Sequence, residues 1–355
     1  MKKIVSIILA GIIAMATLSA GGAAAQTPVN TLSVLSCNVS GIPVIGDFQG
    51  TQTALKGKAR MAKIGEFISE RSGCDLVGTQ EDFNLHSALA GAMTAYPYRT
   101  YSSGNVPLGD GLSIFSKYPV YNVKHTRWER SYGVLSGSTD RLARKGVLLS
   151  VIEIGDGLTI DFYVLHAEAG GDKKSALARS DNFRQLAEMI NERGQDRAII
   201  IAGDFNAALA WRTEHGLMEN LIEPTGLKDC WAETCNNGDY TYDGGAGWNP
   251  SLYETVDRVM FISGGGIQLK AESVEYLWIV NEKNETFTDH IATKAVLTYE
   301  ITQPVPDPRP LQVEEPFDPN QRRLDEFVVT VQTLWLVLTN LHELIYLLGE
   351  GIGAV

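Results

Sequence analysis

The stretch AIIIAGDFNAAL, residues 198–209, decides how this chain is read. Its five apolar residues from Ala198 to Ala202 form the short, branched run of a buried strand. Such a run normally closes in a simple polar turn, but this one closes on Gly203, Asp204, Phe205 and Asn206. Side chains two apart on an extended segment point the same way, so Asp204 and Asn206 share one face and Phe205 takes the other. Taken alone, the ending is equally a strand running into an Asx-type turn. It gains meaning because the same ending recurs.

Strand-like runs extend outward from it in both directions: TLSVLSCN, CDLVGTQE, GLSIFSK, GVLLSVIEI, LTIDFYVLHAE, TVDRVMFIS and HIATKAVLTYE. Most are bounded by Gly, Pro, Asn or Asp. Two segments carry apolar residues at helical spacing: KARMAKIGEFISERSG, ending at Gly73, and ALARSDNFRQLAEMINERG, ending at Gly194. Strands alternate with helices in places and run consecutively in others, which predicts an α/β protein of mixed sheets with helices on their outer faces.

The strand endings are chemically alike. LSVLSCN ends in Asn38, DLVGTQE in Glu81 and IDFYVLH in His166; Asp289 and His290 immediately precede the last strand. Neighbouring strands would gather these groups at one rim, the place where open α/β sheets bind ligands. Carboxylate and amide oxygens suit a hard cation such as Mg²⁺, or another divalent ion such as Mn²⁺. Of two histidines, one can activate water while the other supports developing charge or the leaving group. Asp257, inside TVDRVMF, can orient one of them by accepting its ring proton. Together these point to metal-assisted hydrolysis of a phosphoester.

The start of the chain reads differently. Lys2 and Lys3 precede an apolar run from Ile4 to about Leu18, and GGAAAQT offers an Ala-x-Ala site ending at Ala25. Residues 1–25 therefore read as a secretory signal peptide cleaved before Gln26, and the protein as exported, secreted or periplasmic. The competing reading is a membrane anchor, for which the run is short. Loss of the two lysines takes the net charge from −12 to −14. An acidic surface opposes nonspecific attraction to polyanions, but a bound cation can supply positive charge locally, so a nuclease is not excluded. Four cysteines in an exported chain invite disulfides, and Cys230 and Cys235 bracket four residues of a loop that could close a small ring. No second close Cys or His pair supports zinc.

In this order, LSCN, GTQE, the strand-ending His166, GDFN, VDRV and TDH resemble the endonuclease/exonuclease/phosphatase superfamily over roughly residues 30–300. The resemblance implies a four-layer α/β sandwich, two mixed sheets face to face with helices outside. It implies that Glu81 holds the divalent metal with help from Asn38, and that Asp204 and Asn206 position phosphate and metal. His290 would be the general base, oriented by Asp257. His166 would stabilise the phosphate or protonate the leaving group, and Asp289 would support the site beside His290. With Asn38 and Glu81 at one rim on parallel strands, Cys74 lies about 20 Å below Cys37, too far for a disulfide.

STDRLARKGVLLSVIEI is similar to a loop of neutral and bacterial sphingomyelinases, with Asp140, Lys145 and Gly146 at the matching positions; Lys145 is otherwise a solvated residue before a strand. YTYDGGAGWN looks like a run of the same branch. VDRV, by contrast, is closer to pancreatic-type deoxyribonucleases and inositol polyphosphate phosphatases, and HAEAGG departs from the sphingomyelinase pattern. The candidates are a phospholipase C-like phosphodiesterase acting on a phospholipid headgroup, a secreted nuclease, an inositol-phosphate-type phosphatase, and a binding protein of the same fold that has lost catalysis. Arg127, Arg130, Arg141, Arg144 and Lys145 form the notable basic cluster, which suits a headgroup phosphate as well as a nucleic acid backbone. The lipid reading ranks above the nuclease.

Residues 26–300 thus read as the catalytic domain and 301–323, rich in Pro and charge, as a linker. From Leu324 to about Leu348 apolar residues step by three and four as in a helix, within a final segment 324–355. Phe327 to Leu341 carries no charge and falls short of the roughly 20 residues that span a bilayer. The helix could dock on the domain, pair with another chain, or lie on a membrane surface, with Trp335 and Tyr346 at headgroup level and Arg322 and Arg323 near phosphates.

Overall fold

The computed structural model describes residues 30–41, 51–101, 109–134, 140–155, 157–194, 196–211, 216–241, 246–247, 254–302, 309–314 and 319–341. The expected signal segment 1–25, much of the Tyr240–Asn249 motif and the end of the tail lie outside them.

The strands are β1 (Asn30–Asn38), β2 (Leu76–Gln80), β3 (Tyr98–Arg99), β4 (Ser113–Ser116), β5 (Val120–Arg127), β6 (Gly146–Gly155) and β7 (Leu158–His166). They continue as β8 (Ile199–Asp204), β9 (Lys228–Asp229), β10 (Ala246–Gly247), β11 (Glu254–Thr255), β12 (Asp257–Ile262), β13 (Ile267–Leu277) and β14 (Ala292–Ile301). One six-stranded sheet has the order β13-β14-β1-β2-β4-β3 and the other β5-β6-β7-β8-β12-β9, while β10 and β11 form a small pair. Both large sheets are mixed: β1 and β2 run parallel while β2 and β4 are antiparallel, and β7 and β8 run parallel while β8 and β12 are antiparallel.

The period of two along each strand builds the layers. Ile200 and Ala202 of β8 join Phe162, Val164, Val259, Val34 and Leu76 in a core shared by both sheets. The alternate residues Ile199 and Ile201 face outward onto Phe183, Leu186 and Ile190 of α3 (Lys173–Arg193). On the far side, Leu35, Cys37 and Val77 pack on Met61 and Ile64 of α1 (Gly57–Phe67) and Leu89 of α2 (His86–Ala92). The result is the four-layer α/β sandwich. Gly78 lets the sheets approach closely, since a methyl there would stand 2.6 Å from Val164 Cγ2 and 3.1 Å from Ala202 Cβ.

Both expected helices form. Asp172 caps α3 by accepting from the Lys174 and Ser175 amides, and Gly73 ends the helical run begun by α1 in a left-handed conformation. The small ring that Cys230 and Cys235 could have closed does not form. That segment is the helix α4 (Cys230–Cys235), capped by Asp229, rather than a loop, and it leaves Cys230 buried and Cys235 exposed. All four cysteines are unpaired.

Residues 309–314 lie against the domain. Asn122 N donates to Gln312 O (2.8 Å), Gln312 N to Asn122 Oδ1 (2.7 Å) and Tyr101 N to Glu314 Oε2 (2.9 Å). Asn122 sits at the bulge of the edge strand β5, so this strap covers an edge. The tail helix α5 (Pro319–Thr339) begins five residues earlier than its apolar spacing predicts. None of its described side chains is buried, and Phe327 and Trp335 are 67% and 69% exposed.

Candidate active site

Strand register puts the strand-ending residues in one place. His166, Asp204 and Asp257 stand in a single row across β7, β8 and β12, because His166 pairs with Asp204 and Asp204 with Asp257. Each has the parity of the residues that fill the space between the sheets, so all three side chains enter that space at the rim. Asn38 is level with Gln80 on the opposing sheet, one residue before Glu81. The two rims meet through Asn38, whose Nδ2 donates to Asp204 Oδ2 (3.0 Å) and to Glu81 Oε1 (3.2 Å).

The Asx-turn reading of GDFN holds, and the strand stops at Asp204, so Asn206 is turned at φ 48° rather than extended. Asp204 Oδ1 accepts from the Asn206 amide (2.9 Å), an Asx turn, while Phe205 packs in the outer core. Asn206 Nδ2 donates to Ala167 O (3.1 Å). The chain is bent sharply around the site: Ser40, Glu81, Arg144 and Asn206 have φ of 52, 64, 50 and 48°, conformations that non-glycine residues adopt at a cost.

His290 Nδ1 lies 2.6 Å from Asp257 Oδ2, which establishes the predicted pairing, and its Nε2 is 3.9 Å from Asp204 Oδ2. His166 Nε2 lies 3.3 Å from Asp204 Oδ2 and 3.9 Å from Glu81 Oε1. The two imidazoles differ electrostatically. Burial, then the charges of Lys145 and His290, holds His166 well below its ordinary range, so it is neutral. Burial also pulls His290 down, but Asp257, Asp204 and Asp289 outweigh it and push the imidazole up. Burial pushes Glu81 up to about 7 against the pull of Lys145, His290 and Asn38. Asp289 reaches this group through its field, acting on Glu81, Asp257 and His290.

Lys145 is buried, not solvated. Its Nζ pairs with Asp140 Oδ1 (2.9 Å) and approaches Ala167 O (3.4 Å), while Asp140 also accepts from the Ala169 amide. Asp140 and Lys145 therefore brace the Ala167–Ala169 turn after His166, the turn that also holds Asn206.

The fit to a divalent cation rests on orphaned oxygens. Among the described residues, the buried Glu81 Oε2, Asp257 Oδ1 and Asp289 Oδ1 have no hydrogen-bond partner, an arrangement that proteins otherwise avoid. Ligand atoms of Asp204, Asp257 and His290 also lie within 4.8 Å of one another. Asn38 turns Nδ2 toward the carboxylates and commits Oδ1 to the Ser40 amide (2.9 Å), so in this arrangement it holds Glu81 rather than offering an oxygen.

Several supporting residues escaped the sequence reading. Arg60, buried in α1, donates to Val39 O, Ser40 O and Phe287 O, clamping the turn after Asn38 to the loop before His290. Trp128 Nε1 donates to His166 O (2.7 Å). Thr288 Oγ1 donates to Asn38 O (2.7 Å), and Arg258 is buried between Asp229 and Glu254 next to Asp257. Thr288 stood in the quoted TDH motif and Arg258 in VDRV, though neither was read for this role; Arg60 and Trp128 have no local signal, because their partners are remote in sequence.

The model of the Endonuclease/Exonuclease/phosphatase family matches residues 35–290. A sphingomyelinase from Mycobacterium bovis is 25% identical over 299 residues, 78% of this chain and 55% of that protein. The chain thus spans about half the length of that curated relative. Among solved structures, TDP2 from C. elegans aligns with a TM-score of 0.54 at 16% identity, covering 77% of each chain. Beta toxin from Staphylococcus aureus, with bound magnesium ions, aligns at 0.50 and 17%, covering 75% of this chain and 99% of that one. At these identities the structures share the fold.

Proposed function

The chain belongs to the Endonuclease/Exonuclease/phosphatase family, a family of phosphoric ester hydrolases, and on that premise we propose that it is an exported, divalent-cation-dependent phosphodiesterase acting on phospholipid headgroups. The observation that carries the reading is the row His166–Asp204–Asp257 facing Glu81 and Asn38, with His290 fixed on Asp257. The sphingomyelinase relative supports a sphingomyelin-like or related phospholipid, and the Lys2–Ala25 segment supports export. Among the described residues no helix is long and apolar enough to cross a membrane, and the exposed apolar side chains of α5 suit contact with a membrane surface.

Glu81 and Asp204 would hold the cation, Mg²⁺ by the hardness of the oxygen donors, which leaves His290 to work as a base. A bound cation supplies charge that polarises the phosphate and offsets the carboxylates that otherwise keep His290 protonated. Asp257 holds the proton on Nδ1, so Nε2 is the nitrogen that takes a proton from the attacking water. His166, neutral, would donate a hydrogen bond from Nε2 to a phosphate oxygen. The leaving oxygen takes its proton from solvent, and the proton gained by His290 returns to solvent. Asn206, held on Ala167 O through Nδ2, would position the phosphate beside the cation. Asp140 and Lys145 keep the turn carrying Ala167 in place and lend positive charge near the phosphate. The test is release of headgroup phosphate from sphingomyelin and phosphatidylinositol vesicles against nicking of DNA by the same purified protein. Mg²⁺-dependent lipid turnover is expected. DNA nicking without lipid turnover would refute the lipid substrate, and undiminished turnover in excess chelator would refute the cation requirement.

A further inference from the structure

Beside the catalytic rim lies an open hollow of ≈ 520 Å³, lined by Arg127, Trp128, Glu129, Arg130, Ser131 and Arg141. This is within the size range of small-molecule sites. It shares a wall with the active site. Arg127, the last residue of β5, pairs with Gly146, next to Lys145, and Trp128 N donates to Lys145 O (3.2 Å). The Trp128 indole, as noted above, is bonded to the carbonyl of His166.

The charge of the hollow is not balanced from within. Arg130 is paired with Asp181, and Glu129 is the single carboxylate of the lining. Among the described residues no carboxylate pairs with Arg127, Arg141 or Arg144. Partial burial, then the neighbouring Arg144 and Arg141, holds the Arg127 guanidinium below its ordinary range. Arg144, directly before Lys145, does not line the hollow but is near enough for its charge to act on Arg127. An acidic chain has thus gathered guanidinium groups around a small recess, where they repel one another until an anion enters. Guanidinium is the side chain best shaped to grip a phosphate. The guanidinium groups of Arg127, Arg130 and Arg141 line one recess, which suits a single anionic group.

We propose that this hollow is an anion subsite, receiving a second phosphate carried by the headgroup whose phosphodiester lies at His166 and Asp204. The protein would then favour phospholipids with phosphorylated, anionic headgroups over zwitterionic choline lipids, because the same arginines repel a quaternary ammonium. This inference rests on the phospholipid reading above.

The test compares kcat/KM with Mg²⁺ for two soluble lipids, dihexanoyl phosphatidylinositol 4-phosphate and dihexanoyl phosphatidylcholine. The wild type should prefer the first, and the Arg127→Gln/Arg141→Gln variant should shrink that preference tenfold or more, mainly through KM. The lysine pair at the same positions should restore part of it. A ratio that the glutamine variant does not move overturns the proposal, as does a loss of DNA nicking in that variant with lipid turnover unmoved. A second measurement needs no turnover: calorimetric titration of inositol 1,4-bisphosphate into His290→Ala protein in chelator. Binding that is lost when the two arginines are also replaced supports the subsite, even if no phosphodiester is ever hydrolysed, in which case only the enzymatic reading falls. No binding by His290→Ala overturns the subsite whatever the protein hydrolyses.

Discussion

Glu81→Gln keeps the volume of a buried side chain and removes its charge. The carboxyl is pushed from an ordinary 4.5 up to about 7 by burial. At about 1.4 kcal/mol per decade, ionising it in the cation-free protein costs on the order of 3 kcal/mol. The sign follows from proton uptake: the folded state binds the extra proton, so the cost is absent below pH 4.5, grows as pH rises toward 7, and is constant above. Glutamine keeps the Oε1 acceptor for Asn38 Nδ2 but puts an NH₂ where Oε2 has no partner, a loss that does not vary with pH. The clean quantity is therefore the change in the stability difference between pH 5 and pH 8. Melting in chelator should show the wild type losing ground to the variant over this window, by up to about 3 kcal/mol, or several degrees in Tm. Adding Mg²⁺ at pH 8 should recover the wild type, by about 2.7 kcal/mol at a hundredfold excess over Kd, and leave the variant unmoved while its turnover is at least 100-fold lower. A wild type that keeps pace with the variant from pH 5 to pH 8, or Mg²⁺ stabilising both equally, would refute the reasoning.

His290→Ala and His166→Ala should each lower kcat about 100-fold or more without unfolding the protein; near wild-type turnover in either removes that residue from its role. Asp257→Asn should lower activity through His290, and full activity there would break the pairing. Lys145→Met should cost activity and soften the turn carrying Ala167, seen as faster amide exchange at Ala169; unchanged exchange would mean that Lys145 acts by charge alone. Deleting residues 319–355, which spares the strap at 309–314, should slow turnover of bilayer vesicles more than of a soluble phosphodiester. Equal slowing would assign α5 to assembly or folding instead.

The eight runs read from the sequence are β1, β2, β4, β6, β7, β8, β12 and β14, all interior to their sheets. Of the missed strands, β13, β3, β5 and β9 are the four edges of the large sheets, and β10 and β11 are the two-residue pair. An interior strand packs on both faces and reads as a continuous apolar run. An edge strand such as Ile267–Leu277 alternates buried with exposed residues, and Lys228–Asp229 is too short to show any pattern.

The active site divides in the same way. The sequence alone determined that Asn38, Glu81, His166 and Asp204 close strand-like runs, and it determined the helical spacing of the tail, because both patterns are local to one segment. Only the tertiary structure decided that His166, Asp204 and Asp257 share one row and that Asn38 bridges the sheets. It also decided that Lys145 is buried against Asp140 and that unpaired arginines gather beside Trp128. Register and sheet-to-sheet contact join residues up to 166 positions apart, as in Asn38 to Asp204, whereas local periodicity reports only what one strand or helix presents to its surroundings.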